Sequence, residues 1–192
     1  MAEKSCYQGF LSVKRHTLEH DTFTGAPLRV ERENMERGDG VAVLLFDQGS
    51  DSVLLLEQFR IGPAVRNDPA WLIEIVAGVA EPGEDPETTA KRECIEEAGY
   101  APYRLDYLGQ YYVSPGGPSE RITLSLGWVD RQQPVNQGGG LAEEHEDIRC
   151  FWLPRKEAMD LMVQEKINSG APMLALLLAF GSDGLAAVAS VS

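Results

Sequence analysis

The chain has 192 residues, 43% of them hydrophobic, which suits one domain with a substantial core and excludes a disordered polymer. Its 30 Asp and Glu against 17 Lys and Arg leave a formal charge of -13. That balance argues against a general nucleic-acid or anionic-membrane surface, so any phosphate-bearing ligand has to be met locally.

In chain order, Phe10 to His20 and Leu28 to Glu33 roughly alternate apolar and polar residues across a Thr24-Gly25 turn signal. They read as an antiparallel hairpin ahead of the main domain, which divides the chain into residues 1–38 and 39–192. Val41 to Phe46 and Val53 to Phe59, dense in β-branched and aliphatic residues around an Asp-Gln-Gly-Ser-Asp turn, read as buried strands, and Trp71 to Val76 as another. A helix follows: Asp85 can cap it, Pro86 suits its first position, and Gly99 can take the left-handed conformation that ends it. Tyr103 to Val113 and Arg121 to Trp128 read as strands around the loop that starts at Ser114, with a last strand from Ile148 to Leu153. Lys156 to Ile167 has the pattern of an amphipathic helix, and Pro172 opens a shorter apolar one toward Ala179, with fraying expected from Gly181 onward. Strands on either side of a helix, with helices at the end, imply an α/β fold with a mixed sheet packed against helices.

Cys6, Cys94 and Cys150 are widely spaced and include no CxxC pair, so they suggest neither a disulfide framework nor a zinc site. A reducing, cytoplasmic setting fits them best. The N terminus lacks a basic region followed by an apolar run, and Met173 to Phe180 is too short to span a bilayer.

The helix carries the chemistry. Glu93, Glu96 and Glu97 lie at i, i+3 and i+4, so their carboxylates share one face and repel one another. On its own a Glu-Glu pair is an ordinary solvated face; a hard divalent cation would turn the same crowding into a ligand field. The wider pattern decides between these. Gly78, Glu84, Arg92-Glu93, Glu96-Glu97 and Gly99 stand at every fixed position of the Nudix signature, with Cys94 and Tyr100 at its two looser aliphatic positions. The chain therefore resembles the Nudix family, and the resemblance implies an α/β/α sandwich whose signature forms a loop, helix and loop. It further implies that Glu93 and Glu97 bind metal directly, with Glu96 direct or through water and the backbone oxygen of Ala77 a further ligand. By the same resemblance Glu84 and Arg92 are expected to pair and hold the loop on the helix, and Gly78 to support close backbone approach. The implied cofactor is Mg²⁺, with Mn²⁺ able to substitute.

A second acidic cluster, Glu143-Glu144-His145-Glu146-Asp147, follows Gly138-Gly139-Gly140. Alone it reads as a solvated loop, yet a glycine hinge before carboxylates could bring a base to a metal site and withdraw it. Here the resemblance narrows to bacterial ADP-ribose pyrophosphatases, whose corresponding loop carries a catalytic base and a further metal-linked glutamate, matching Glu144 and Glu146. A one-residue shift would make Glu143 the base instead. Ser114-Pro115-Gly116-Gly117 with Ser119-Glu120, Glu57-Gln58-Phe59-Arg60, and the run from Arg32 to Gly38 are similar to other stretches of that family. They imply substrate contacts from Arg60, Pro115, Glu120 and Arg32, the last two across a dimer interface. Phe10 is either a stacking partner for adenine or a core residue. The resemblance implies Mg²⁺-dependent hydrolysis of ADP-ribose to AMP and ribose 5-phosphate by a homodimer that exchanges its N-terminal strands. Pyrophosphatases for nucleotide sugars or dinucleotides, and a sensor that binds ADP-ribose without cleaving it, are the alternatives.

Overall fold

The structure, a computed structural model, describes residues 2–181. The expected fraying falls almost wholly on 182–192, outside the described residues. The backbone divides into two compact units: one runs from the N terminus to Asp39 and takes in Tyr111–Ile122, and the other holds Gly40–Gln110 and the described residues from Thr123 onward.

The first unit contains a three-stranded antiparallel sheet of β1 (Ala2–Gln8), β2 (Ser12–Asp21) and β3 (Pro27–Glu36), with β2 in the middle. The hairpin turn closes at Gly25, whose φ of 83° suits glycine. Strand β1 is an addition to the expected hairpin; its sequence is mixed, every residue is exposed, and it has no apolar face to betray it. None of the three strands has a buried residue. Ion pairs cross the sheet instead, with Lys14 on Glu36 at 2.9 Å and Arg15 on Glu33 at 2.9 Å. The end of β3 is stitched to the 114–120 loop: Met35 N–H donates to Gly117 O, and Ser119 N–H donates to Met35 O, both at 3.2 Å.

A second sheet, most of it in the second unit, runs in the order β10 (Ile148–Pro154), β5 (Ser52–Phe59), β4 (Gly40–Asp47), β9 (Arg121–Trp128) and β8 (Arg104–Tyr112). Side chains alternate across β4 and β5, so each face receives half of them. Val41, Val43, Leu45, Leu54 and Leu56 meet Ala90, Cys94 and Ala98 of the helical segment that starts at Pro86. Against the opposite face pack α3 (Arg155–Val163) and α4 (Gly170–Phe180), where Ala175, Leu176 and Ala179 are buried and Phe46 touches both Trp128 and Phe180. This is the expected α/β/α sandwich.

Several boundaries differ from the sequence reading. The run from Trp71 is two strands, β6 (Trp71–Glu74) and β7 (Val76–Val79). Strands β4 and β5 pair only from Leu45 to Asp47; beyond that they splay, and β6 pairs with β5 while β7 pairs with β4. Changing partners forces the break at buried Ile75. A short helix, α1 (Ile61–Val65), was not expected, because Gly62-Pro63 hides it. Helix α3 stops at Val163 because Glu165 turns to a φ of 61°, although Ile167 still reaches the core.

Leu55 lies in the centre of β5 with no exposure. Leu55→Ala is expected to lower unfolding free energy by about 2–5 kcal/mol through lost transfer energy and a cavity, read as a lower urea midpoint with unchanged slope.

Candidate active site

The signature helix is α2 (Pro86–Glu93) continued by a π-helical turn over Cys94–Ala98. Asp85 starts it, accepting the N–H groups of Glu87 and Thr88 at 3.0 Å each, and Pro86 follows without wasting a donor. Gly99 stops it at a φ of 76°, and a methyl group added there would lie 2.5 Å from Asn136 O. The wider turn places Glu96 and Glu97 where an α-helical continuation would not, a distortion that recurs at functional sites.

Glu97 is 2% exposed. Burial pushes its carboxyl up to about 8, against the opposing effect of the Ala77 N–H donating to its Oε2 at 2.9 Å; the charges of Glu93 and Glu146 push it up further and that of Arg60 pulls it down. Glu93 is raised by burial too, with Arg92 working in the other direction and Glu96 and Glu146 adding to the rise. Glu96 and Glu146 act on Glu93, and Glu93, Glu146 and Arg60 act on Glu97, so these side chains share one electrostatic neighbourhood. Gly78 of β7 is packed so tightly on Glu93 that a Cβ there would collide with the carboxylate.

Arg92 is the organising cation. Its Nε and Nη2 donate to the two oxygens of Glu84, each at 3.1 Å, while Nη1 donates to Glu93 at 2.8 Å and to Glu96 at 2.9 Å. Glu84, which also accepts from Glu81 N–H and the Thr89 hydroxyl, is lowered to about 2, chiefly by its hydrogen bond from Arg92. The loop from Val79 to Glu84 is thereby tied to the helix. Arg60 is held through Nε by Glu74 Oε2 at 2.7 Å.

The segment after the helix is anchored more firmly than a free hinge. Gly139 N–H donates to Glu97 O at 2.8 Å and Gly140 N–H to Glu96 O at 3.2 Å, so the glycines lie fastened to the helix. Glu143 and Glu144 lie exposed on a single 3-10 turn, Ala142–Glu144. His145 follows in the left-handed region, and half-buried Glu146 accepts from Leu141 N–H at 3.1 Å. Cys150 donates from Sγ to Glu97 O at 3.1 Å; burial raises its thiol to about 11, which keeps the proton on sulfur.

Ala77 O, Glu93, Glu96, Glu97 and Glu146 are the hard oxygen donors that the sequence reading expects to hold a small divalent cation. Two of the carboxyls are already raised by burial and by like charge, a cost that a cation would reverse. Among the described residues no three acidic, His or Cys side chains already converge on one point; Arg92 instead bridges Glu93 and Glu96.

The remaining expected residues lie in the first unit. Phe10, in the turn between β1 and β2, is 95% exposed, which rules out a core role within that unit. Arg32 is exposed on β3 and donates to the backbone of Glu31. Pro115 is exposed on its loop, whereas Glu120 is buried and ion-paired with Arg37 at 3.6 Å. The contacts of Glu74, Arg37 and Cys150 escaped the sequence reading: the first two are ordinary polar strand and loop positions, and the third lacks any paired motif.

A NUDIX domain model matches residues 36–177. The chain is 39% identical to the ADP-ribose pyrophosphatase of Haemophilus influenzae over 92% of its own length and 82% of that protein. It is 33% identical to the GDP-mannose pyrophosphatase of Cronobacter sakazakii over 91% of its length and 90% of that protein. A crystal structure of an ADP compounds hydrolase superposes with a TM-score of 0.69 at 20% identity, covering 93% of this chain and 90% of the other, which is a likeness of fold. With a family model over most of the chain and the full signature carried on a helix built around its carboxylates, the chain belongs to the NUDIX domain family.

Proposed function

We propose that the protein is a Mg²⁺-dependent pyrophosphatase that hydrolyses ADP-ribose to AMP and ribose 5-phosphate. The observation that carries this reading is the 39% identity to an ADP-ribose pyrophosphatase across nearly the whole chain. The buried, carboxylate-rich end of the signature helix supports it.

Glu93, Glu96, Glu97, Glu146 and the Ala77 oxygen would hold the cation, and Mn²⁺ could replace Mg²⁺. When bound, such an ion supplies charge neutralisation at the pyrophosphate oxygens and a more acidic water. Arg60, oriented by Glu74, presents its guanidinium to a phosphate. Glu144 takes the proton of the attacking water as its oxygen joins phosphorus; the P–O–P bond breaks, and the leaving phosphate keeps the bonding pair. Glu143, on the same exposed turn, is the alternative base. Gly78, Glu84 and Arg92 keep loop and helix in register.

The protein acts as a homodimer in which residues 1–38 are exchanged between copies. Three strands without a buried residue gain apolar burial only against another surface, and a second copy offers one. Arg32, Glu120, Phe10 and Pro115 then complete a substrate site built from both chains, with Phe10 stacking on adenine. Three free cysteines support a reducing, cytoplasmic setting. The similarity to a GDP-mannose pyrophosphatase favours a nucleotide sugar as the second substrate reading.

The deciding experiment is product analysis with Mg²⁺ and a panel of ADP-ribose, GDP-mannose, other nucleotide sugars and NADH. AMP and ribose 5-phosphate are expected to form fastest from ADP-ribose and to vanish in Glu93→Gln; faster cleavage of GDP-mannose would overturn the substrate assignment.

The pH dependence of stability tests the metal site without substrate. Folded Glu97 keeps its proton to about 8, whereas the unfolded carboxyl releases it near its ordinary 4.5. Between these values the folded state binds more protons, so metal-free stability falls as pH rises through that window. Metal competes with the proton, so the Tm increase caused by Mg²⁺ is expected to be larger at pH 8 than at pH 6. In Glu97→Gln both effects should shrink; an unaltered Mg²⁺ response would remove Glu97 as a ligand.

Mixing inactive Arg32→Ala and Glu120→Gln proteins under conditions of subunit exchange is expected to restore part of the activity. A verified mixed dimer with no recovery would rule out a shared site.

A further inference from the structure

We propose that Cys150, Gly139 and Gly140 are positioning residues for the metal-binding carboxylates, an inference that rests on the metal-dependent reading above. The final carbonyls of any helix lack partners within it. Here the Cys94 and Ile95 carbonyls are taken by the N–H groups of Tyr100 and Gly99, each at 3.1 Å. The next two carbonyls belong to Glu96 and Glu97. Gly140 N–H holds the first at 3.2 Å, and Gly139 N–H holds the second at 2.8 Å together with the Cys150 thiol at 3.1 Å.

The direction of a Cα–Cβ bond follows from the backbone that carries it, so these donors set where the two carboxylates point. Glu97 is consequently gripped at both ends, its carbonyl by Gly139 and Cys150 and its carboxylate by Ala77 N–H. Cys150 stands opposite Leu56 of β5, so one donor comes from the sheet itself rather than from the loop. The strap also reaches forward: Leu141 N–H, directly after Gly140, holds Glu146 Oε2 at 3.1 Å. One continuous segment therefore relates Glu96 and Glu97 to the acidic loop.

Glycine is required for this fit. Residues 138, 139 and 140 have φ values of 61°, 105° and 82°, in the left-handed half of backbone space. A methyl group on Gly138 would lie 2.6 Å from the Ala98 carbonyl carbon, and one on Gly140 would lie 2.6 Å from Glu146 Cβ. Side chains here would pry the strap from the helix or displace Glu146. The three glycines form a molded clasp on the helix end.

The test compares Cys150→Ala with Cys150→Ser, because serine retains a hydrogen-bond donor and alanine does not. Gly140→Ala is added, with Gly170→Ala as control, since a methyl group at Gly170 meets nothing within 4 Å. Mn²⁺ affinity is measured by EPR titration without substrate, alongside kcat, KM and Tm. Cys150→Ala is expected to weaken Mn²⁺ binding and lower kcat by about 10-fold each with KM little changed, while Cys150→Ser stays within about 3-fold of the parent. Gly140→Ala should shift Mn²⁺ affinity in the same direction as Cys150→Ala, and Gly170→Ala should match the parent. Equal losses in the Ala and Ser variants would assign the effect to packing and overturn the proposal, as would parental Mn²⁺ affinity in Cys150→Ala. Glu97→Gln in parallel separates the two levels. If it binds Mn²⁺ like the parent, the metal-site reading itself falls; if it loses binding while Cys150→Ala does not, only the positioning role falls.

Discussion

Acidic side chains crowded and partly buried at the wrong end of a helix are the constraint on which this molecule depends. The C-terminal end of a helix is already its negative pole, and Glu93, Glu96 and Glu97 add carboxylates there with water largely excluded from Glu97. Such a cluster survives only where hydrogen-bond donors offset the repulsion. Arg92 supplies most of them, reaching Glu84, Glu93 and Glu96 from one planar group. A lysine would put one point charge in its place and lose the fork that grips Glu84 through two nitrogens.

The sheet makes this arrangement possible. Because β4 and β5 part after a short stretch of pairing, the chain from Trp71 to Val79 can enter the gap, first alongside one strand and then the other. That insertion delivers Ala77 and Gly78 to the signature helix, the first as a donor to Glu97 and the second as a position without side-chain bulk against Glu93. Strand pairing and carboxylate placement are thus one problem with one geometric solution.

Much of this was legible from local chemistry, and the omissions have a common cause. The cap at Asp85, the stop at Gly99 and the buried strands at Val41 and Val53 follow from turn chemistry and apolar patterning, which act over a few residues. The break at Ile75 was hidden because it arises from a change of partner strand, with no glycine or proline to announce it. Strand β1 offers no apolar alternation, and a π-turn has no composition of its own. The pairing of Arg60 with Glu74 and the contact of Cys150 with the Glu97 carbonyl connect positions 14 and 53 residues apart, which only the folded chain brings together. The triple glycine was read as a hinge because flexibility is its commonest use; its donors, once seen, show it fastened.

The three cysteines, so similar in sequence, have become chemically unlike. Cys94 is wholly buried with its thiol raised well above the ordinary range, and Cys150 is raised to about 11 with its proton engaged by a carbonyl. Thiolate is the reactive form toward electrophiles, so both are protected by their weakened acidity. Cys6 is exposed on β1. A maleimide dye would therefore mark the first strand selectively in the native protein, giving a spectroscopic handle on that unit without engineering any residue near the carboxylates.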